Sequence, residues 1–244
     1  MKRIFDLVRL GAGVLAFCLL FAFTTLWMRG ARLPAVATAA AGEERPVFVL
    51  DAGHGGEDGG AVGANGVLEK DLNLAVTCML GDMLQAAGQC VVYTRTEDRL
   101  LYTEEQNIRG QRKNYDLRNR LVIARGQKNA VFVSIHMNSF SDTRYSGLQV
   151  YYGKGHTGSR LLAEGIQAAV RTDLQPDNRR TVKAAGSSIY LLAHADMPAV
   201  LIECGFLSNP AECQKLSEQD YQRQLSFSIF CAMMEYISQD GGQT

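Results

Sequence analysis

The sequence predicts an α/β domain, a mixed and largely parallel twisted sheet flanked by helices, forming a single catalytic domain after an N-terminal membrane segment. Three observations lead there. Short apolar runs of strand character recur at residues 47–50, 90–94, 130–135, 148–152, 189–192 and 199–203. Segments with apolar residues three and four apart lie between several of them, and glycine-rich or polar stretches join one kind to the other. Such alternation is expected of crossover connections and a parallel sheet.

Each element has its own justification. Lys2, Arg3 and Arg9 precede an almost uncharged run over 10–28, close to the roughly 20 residues a helix needs to span a bilayer. A cleaved signal peptide has a shorter apolar core, and the small-residue site at Ala37-Thr38-Ala39 comes late. The expectation is an uncleaved signal-anchor with residues 1–9 cytoplasmic and the catalytic domain extracytoplasmic. Residues 29–45, alanine-rich with one proline, read as a linker, 46–239 as the catalytic domain and 240–244 as a tail.

Within the domain, the strand over 47–50 runs into a glycine-rich loop carrying His54. A helix begins near Glu69, with Leu72, Val76, Met79 and Met83 on one face, and ends near Gly88. The polar stretch 95–114 reads as a loop. The helix over 115–125 has Leu117, Leu121 and Ala124 inward and Arg118, Arg120 and Arg125 outward. The strand over 130–135 delivers His136, and the strand over 199–203 delivers Glu203. Helices are predicted over 159–170 and 221–237.

Composition narrows the function classes. With 25 basic and 25 acidic residues the net charge is zero, and no basic stripe with interleaved aromatics occurs, so nucleic acid is not expected as a partner. The six cysteines form no Cys-x-x-Cys pair, and several sit in apolar runs, so buried free thiols are expected. The glycines at 53, 55, 56, 59 and 60 fit neither a P-loop nor a Rossmann fingerprint. They suit close backbone approach to a metal or bulky ligand. His156 reads as part of a surface turn and His194 as solvent-exposed.

The chemistry is read from a coincidence of positions. Three buried-strand runs lead to His54, His136 and Glu203, and Glu69 stands at the head of a neighbouring helix. Taken singly, each has an ordinary structural explanation, such as a helix-dipole role for Glu69. Together they supply two imidazoles and a carboxylate, a ligand set of catalytic zinc, with a second carboxylate left as a base. Cys204, next to Glu203, should face the other side of its strand.

At these residues the sequence resembles the zinc-dependent N-acetylmuramoyl-L-alanine amidases of the amidase-3 family. The pieces that carry the resemblance are Asp51-Ala52-Gly53-His54-Gly55-Gly56, Leu68-Glu69-Lys70, Ser134-Ile135-His136-Met137-Asn138 and Glu203-Cys204-Gly205-Phe206-Leu207-Ser208-Asn209. Ala52 stands where many members have proline, and Ser139 replaces a common alanine. The resemblance implies that His54, Glu69 and His136 hold one Zn2+ per chain and that Glu203 is catalytic. The substrate it implies is the glycan strand and stem peptide of peptidoglycan, cut between the lactyl group of N-acetylmuramic acid and L-alanine. Arg95, Arg118 and Asn138 are candidate substrate contacts. The membrane segment and the stretch 112–120 look most like the sporulation members that prepare muramic acid for δ-lactam formation in spore cortex, with an accessory protein or deacetylase in the same pathway. The alternatives are a vegetative autolysin of the family and a non-catalytic peptidoglycan-binding protein, against which the retention of all four site residues argues.

Overall fold

The computed structural model describes residues 45–240. The anchor expected over 10–28 and nearly all of the linker lie outside the described residues. Among the described residues no helix is long and apolar enough to cross a membrane.

In chain order the elements are β1 (Val47–Ala52), α1 (Glu69–Ala86), β2 (Cys90–Tyr93), α2 (Arg112–Arg125), β3 (Ala130–Asn138), β4 (Gln149–Tyr152), α3 (Gly158–Asp173), β5 (Lys183–Ala184), α4 (Tyr190–His194), β6 (Ala199–Phe206), α5 (Pro210–Ser217) and α6 (Gln219–Asp240), with one 3-10 turn at Glu104–Gln106. The strands form one sheet in the order β2-β1-β3-β6-β4-β5. β2, β1, β3 and β6 are mutually parallel, β4 runs antiparallel to β6, and β5 is parallel to β4. The mixed, largely parallel sheet is as expected.

Strand alternation sorts the side chains onto two faces. Phe48, Leu50, Val131, Val133, Ile135, Val200, Ile202 and Cys204 pack against α1, α3, α5 and α6 in the larger core. Val49, Phe132, Ala199 and Leu201 face α2 and α4 in a smaller one. Cys204 therefore lies opposite Glu203, as alternation requires. α1 shows what holds a helix here. Its N-cap, Leu68, offers no side-chain cap, a device worth about 1 kcal/mol. Its stripe Leu72, Val76, Leu80 and Leu84 is buried, and each such side chain contributes about 1.5–3 kcal/mol. Packing thus outweighs capping.

Several expectations need correcting. The run 189–192 is not a strand: residues 190–194 form the single helical turn α4, whose Leu191 and Leu192 plug the smaller core. An apolar run this short has no periodicity to distinguish strand from buried turn. β5 is an exposed two-residue pairing with no apolar signal. α5 is a further helix beyond those expected, started by Asn209, which accepts from Glu212 N, and by Pro210 directly after it. In α1 the buried stripe runs through Leu80 and Leu84, leaving Met79 and Met83 only half-buried. α2 starts at Arg112, and its Arg120 points inward with 1% exposure. The strands of His136 and Glu203 continue past those residues to Asn138 and Phe206, because ladder hydrogen bonds persist where the apolar run has stopped. The five described cysteines are free as expected, but Cys90 and Cys231 are exposed and Cys78 half-buried.

Candidate metal centre and catalytic cleft

The site sits at the C-terminal ends of the parallel strands, where open α/β sheets place their ligands. Register does the assembling. Asp51 pairs with Ser134 across β1 and β3, and His136 pairs with Glu203 across β3 and β6. All four side chains belong to the face that carries the smaller core. Glu69, the first residue of α1, reaches the same point from the helix side.

Glu69 is the hub. Its Oε1 lies 3.0 Å from His136 Nδ1 and 3.2 Å from His54 Nε2, and accepts from Met137 N and Asn73 Nδ2. Its Oε2 accepts from Ala61 N at 2.8 Å. One donor atom from each of His54, Glu69 and His136 falls within 4.8 Å of the others. His54 Nδ1 faces Asp58 Oδ2 at 2.9 Å, and Lys113 Nζ reaches the same oxygen at 3.0 Å. Asp58 thereby fixes which nitrogen of His54 is turned toward Glu69, the usual duty of a carboxylate behind a metal-ligating histidine.

The electrostatics favour a cation at this point. Burial opposes charge on His54, yet the hydrogen bonds and charges of Asp58 and Glu69 push its pKa up to about 9. Burial would raise Glu69, but the two histidines hold it far below the ordinary carboxylate range. Two imidazoles and a carboxylate with positive charge stabilised among them match the donor chemistry of zinc. The glycines supply the clearance. A Cβ on Gly53 would stand 2.2 Å from the His136 ring, and one on Gly60 would stand 2.5 Å from Glu69 Oε2.

Glu203 differs from Glu69 in kind. Desolvation raises its pKa and the charge of Glu69 adds to the rise, the nearby imidazoles offsetting this only in part. Its Oε2 is buried without a hydrogen-bond partner. A buried, unpaired carboxylate oxygen is costly, and such an atom beside a cation-favouring cluster suits proton transfer. A cleft of about 230 Å³ opens over it, lined by His54, His136 and Glu203 together with Leu117, Ile189 and Tyr190.

Sequence reasoning missed the frame beneath the His54 loop. His54 adopts φ +62°, a left-handed conformation unusual for a residue with a side chain. Two buried arginines hold it. Arg95 donates to Ala52 O, Gly53 O, Lys70 O and Glu97 O. Arg120 donates to Ala52 O and His54 O and pairs with Asp51 and Asp116. Asp51 also accepts from Thr94 and Ser134 hydroxyls, so the Arg120 ion pairs are embedded in a fuller hydrogen-bond network, whereas Arg95 is met by backbone carbonyls alone. Arg95, 2% exposed, thus supports the His54 loop from beneath. Arg118 is exposed and does not line the cleft, and Asn138 ends β3 beside Phe206, its carbonyl accepting from Leu207 N. The signal for the frame was the Asp51 that ends an apolar run. Its partner Arg120 lies 69 positions away, and a helical pattern with several arginines does not say which of them turns inward. His156 and His194 are both exposed, as expected.

Comparison with known proteins follows the same lines. The sequence profile of the N-acetylmuramoyl-L-alanine amidase family, Amidase_3, matches residues 48–235. The germination-specific N-acetylmuramoyl-L-alanine amidase of Bacillus subtilis is 36% identical over 195 residues, covering 80% of this chain and 81% of that one. Among solved structures, the CwlD amidase from Clostridioides difficile in complex with the GerS lipoprotein is similar with TM-score 0.76 and 39% identity, covering 80% of this chain and 99% of that one. The amidase AmiC2 of Nostoc punctiforme is similar with TM-score 0.69 and 29% identity, covering 81% and 99%.

Proposed function

The chain belongs to the N-acetylmuramoyl-L-alanine amidase family of peptidoglycan hydrolases, and on that premise we propose a zinc enzyme in which His54, Glu69 and His136 hold the metal and Glu203 is the general base. The observation that carries the reading is the pairing of a compact His-Glu-His cluster with a buried, unpartnered carboxylate on the adjacent strand. Bound zinc supplies a Lewis acid that polarises the lactyl carbonyl and makes water acidic near neutral pH. Glu203, its pKa raised by burial, accepts the proton of the attacking water and hands it to the departing alanine nitrogen. Asp58 and Asn73 hold His54 and Glu69 in place, and the two buried arginines keep the His54 loop in its strained shape.

The cellular reading rests on the relatives. The similarity to a germination-specific amidase and to CwlD supports action on spore peptidoglycan, in which stem peptides are removed from muramic acid before δ-lactam forms, in step with a deacetylase. The CwlD structure includes a lipoprotein, which supports an accessory protein here too. A membrane-anchored domain on the extracytoplasmic side agrees with both the substrate and the apolar run at 10–28.

Mass spectrometry of muropeptides after incubation with zinc-loaded protein tests the reaction. Release of intact stem peptide, abolished by chelation and restored by about one zinc per chain, is the expected result. Intact muropeptides under those conditions overturn it. Abundant muramic-δ-lactam in spores lacking the protein would overturn the cortex role.

A further inference from the structure

A trough of about 820 Å³ opens at the same edge of the sheet, between the loop that precedes β4, the segment 174–180 and the start of α5. Its size is that of a ligand site. Among its lining residues Arg144, Arg179, Arg180 and Lys215 are cationic, whereas the acids are Asp177 and Glu212. Glu212 turns inward, accepting from Phe206 N at 2.7 Å and Gly147 N at 2.8 Å. Arg144 is occupied by Asp142. In a chain of zero net charge, this is a local concentration of positive charge.

Arg180 is the ordered member. Its guanidinium lies over Phe206 at 4.5 Å and near the Tyr145 ring at 5.5 Å. Its Nε donates to Ser146 O and its Nη1 to Gln149 Oε1. Gln149, in turn, donates to Thr181 O. Nη2 makes no hydrogen bond among the described residues, so a planar donor is held by two rings and two hydrogen bonds with one edge uncommitted. That is a preorganised carboxylate receptor. Its place is equally specific, because Gln149 is the residue registered opposite Glu203 across β4 and β6.

We propose that this trough receives the stem peptide downstream of the scissile amide and that Arg180 binds one of its carboxylates, with Arg179 and Lys215 adding charge at the rim. The proposal rests on the amidase reading for its substrate. It makes Arg180 a specificity residue that acts on binding, since it does not touch the cluster of His54, Glu69, His136 and Glu203.

The test uses the zinc-loaded full chain and two muropeptides that differ only in whether the stem carboxylates are free or amidated. The free form should have the lower KM. Arg180→Gln should raise that KM by ~10-fold or more, the size expected when a charge-assisted hydrogen bond is lost, with kcat changed by less than about threefold and the preference between substrates abolished. An unchanged preference in Arg180→Gln overturns the proposal. Should that variant fail to fold, the exposed pair Arg179→Gln and Lys215→Gln must raise the same KM, and no change overturns it. Calorimetric titration of the free stem peptide separates the two readings. If wild-type protein cleaves neither muropeptide, the amidase reading fails. Binding of the acidic peptide, lost in Arg180→Gln, would still support the trough, and absence of binding would reject it.

Discussion

Arg120 Nη2 donates to the main-chain oxygen of His54 over 2.7 Å, so a buried guanidinium on α2 holds this candidate metal ligand in the left-handed backbone conformation that its own side chain disfavours. The same guanidinium neutralises Asp51 and Asp116. One side chain therefore joins the stability of the domain to the geometry of its site.

Replacing it should cost both. Arg120→Met leaves Asp51 and Asp116 buried without their shared ion-pair partner, a type of change that costs about 3–5 kcal/mol. Urea denaturation of the zinc-free protein should show the loss as a lower midpoint with an unchanged slope. A midpoint equal to wild type would mean that the network contributes nothing.

Acid sensitivity follows from Asp51. Burial alone would raise its pKa, but the charge of Arg120 and the hydroxyls of Ser134 and Thr94 bring it below the ordinary value of 3.8. A carboxyl whose folded pKa is lowered contributes stability that is fully present above the unfolded value, about 3.9, and lost as pH falls through the folded one. Wild-type stability should thus decline more steeply below about pH 4 than that of Asp51→Asn, which starts lower at neutral pH. Parallel acid limbs in the two denaturation series would reject this assignment.

Glu203→Gln separates binding from chemistry. The amide cannot accept the proton of water, so kcat should fall by about 10²–10⁴, while metal analysis still finds about one zinc per chain. A variant that cleaves muropeptides at the wild-type rate would remove Glu203 from the mechanism.

Gly53→Ala places a methyl where the His136 ring lies. His136 must move, and zinc affinity, read by competition with a chromophoric chelator, should drop by about 10–100-fold, as when a supporting contact to a ligand is lost. Gly66→Ala is the control. Gly66 has φ +85° but open space around it, so about 1–2 kcal/mol of backbone strain is expected with no change in zinc affinity.

The sequence by itself determined the alternating α/β plan and singled out His54, Glu69, His136 and Glu203 as candidates, because apolar strand runs and the residues that follow them are local patterns. That Arg95 and Arg120 are both buried is not legible in the sequence, since burial of an arginine depends on partners far along the chain. Tertiary structure decided the rest. Register across β1, β3 and β6 set His136 beside Glu203, and two carboxylates of one residue type acquired opposite characters. Glu69, bonded to both histidines, stays ionised, whereas Glu203, desolvated and unpartnered at one oxygen, has its pKa raised. Residue type fixes what a group can do, but solvent exclusion and neighbouring charge fix its proton affinity, and both exist only in the folded chain.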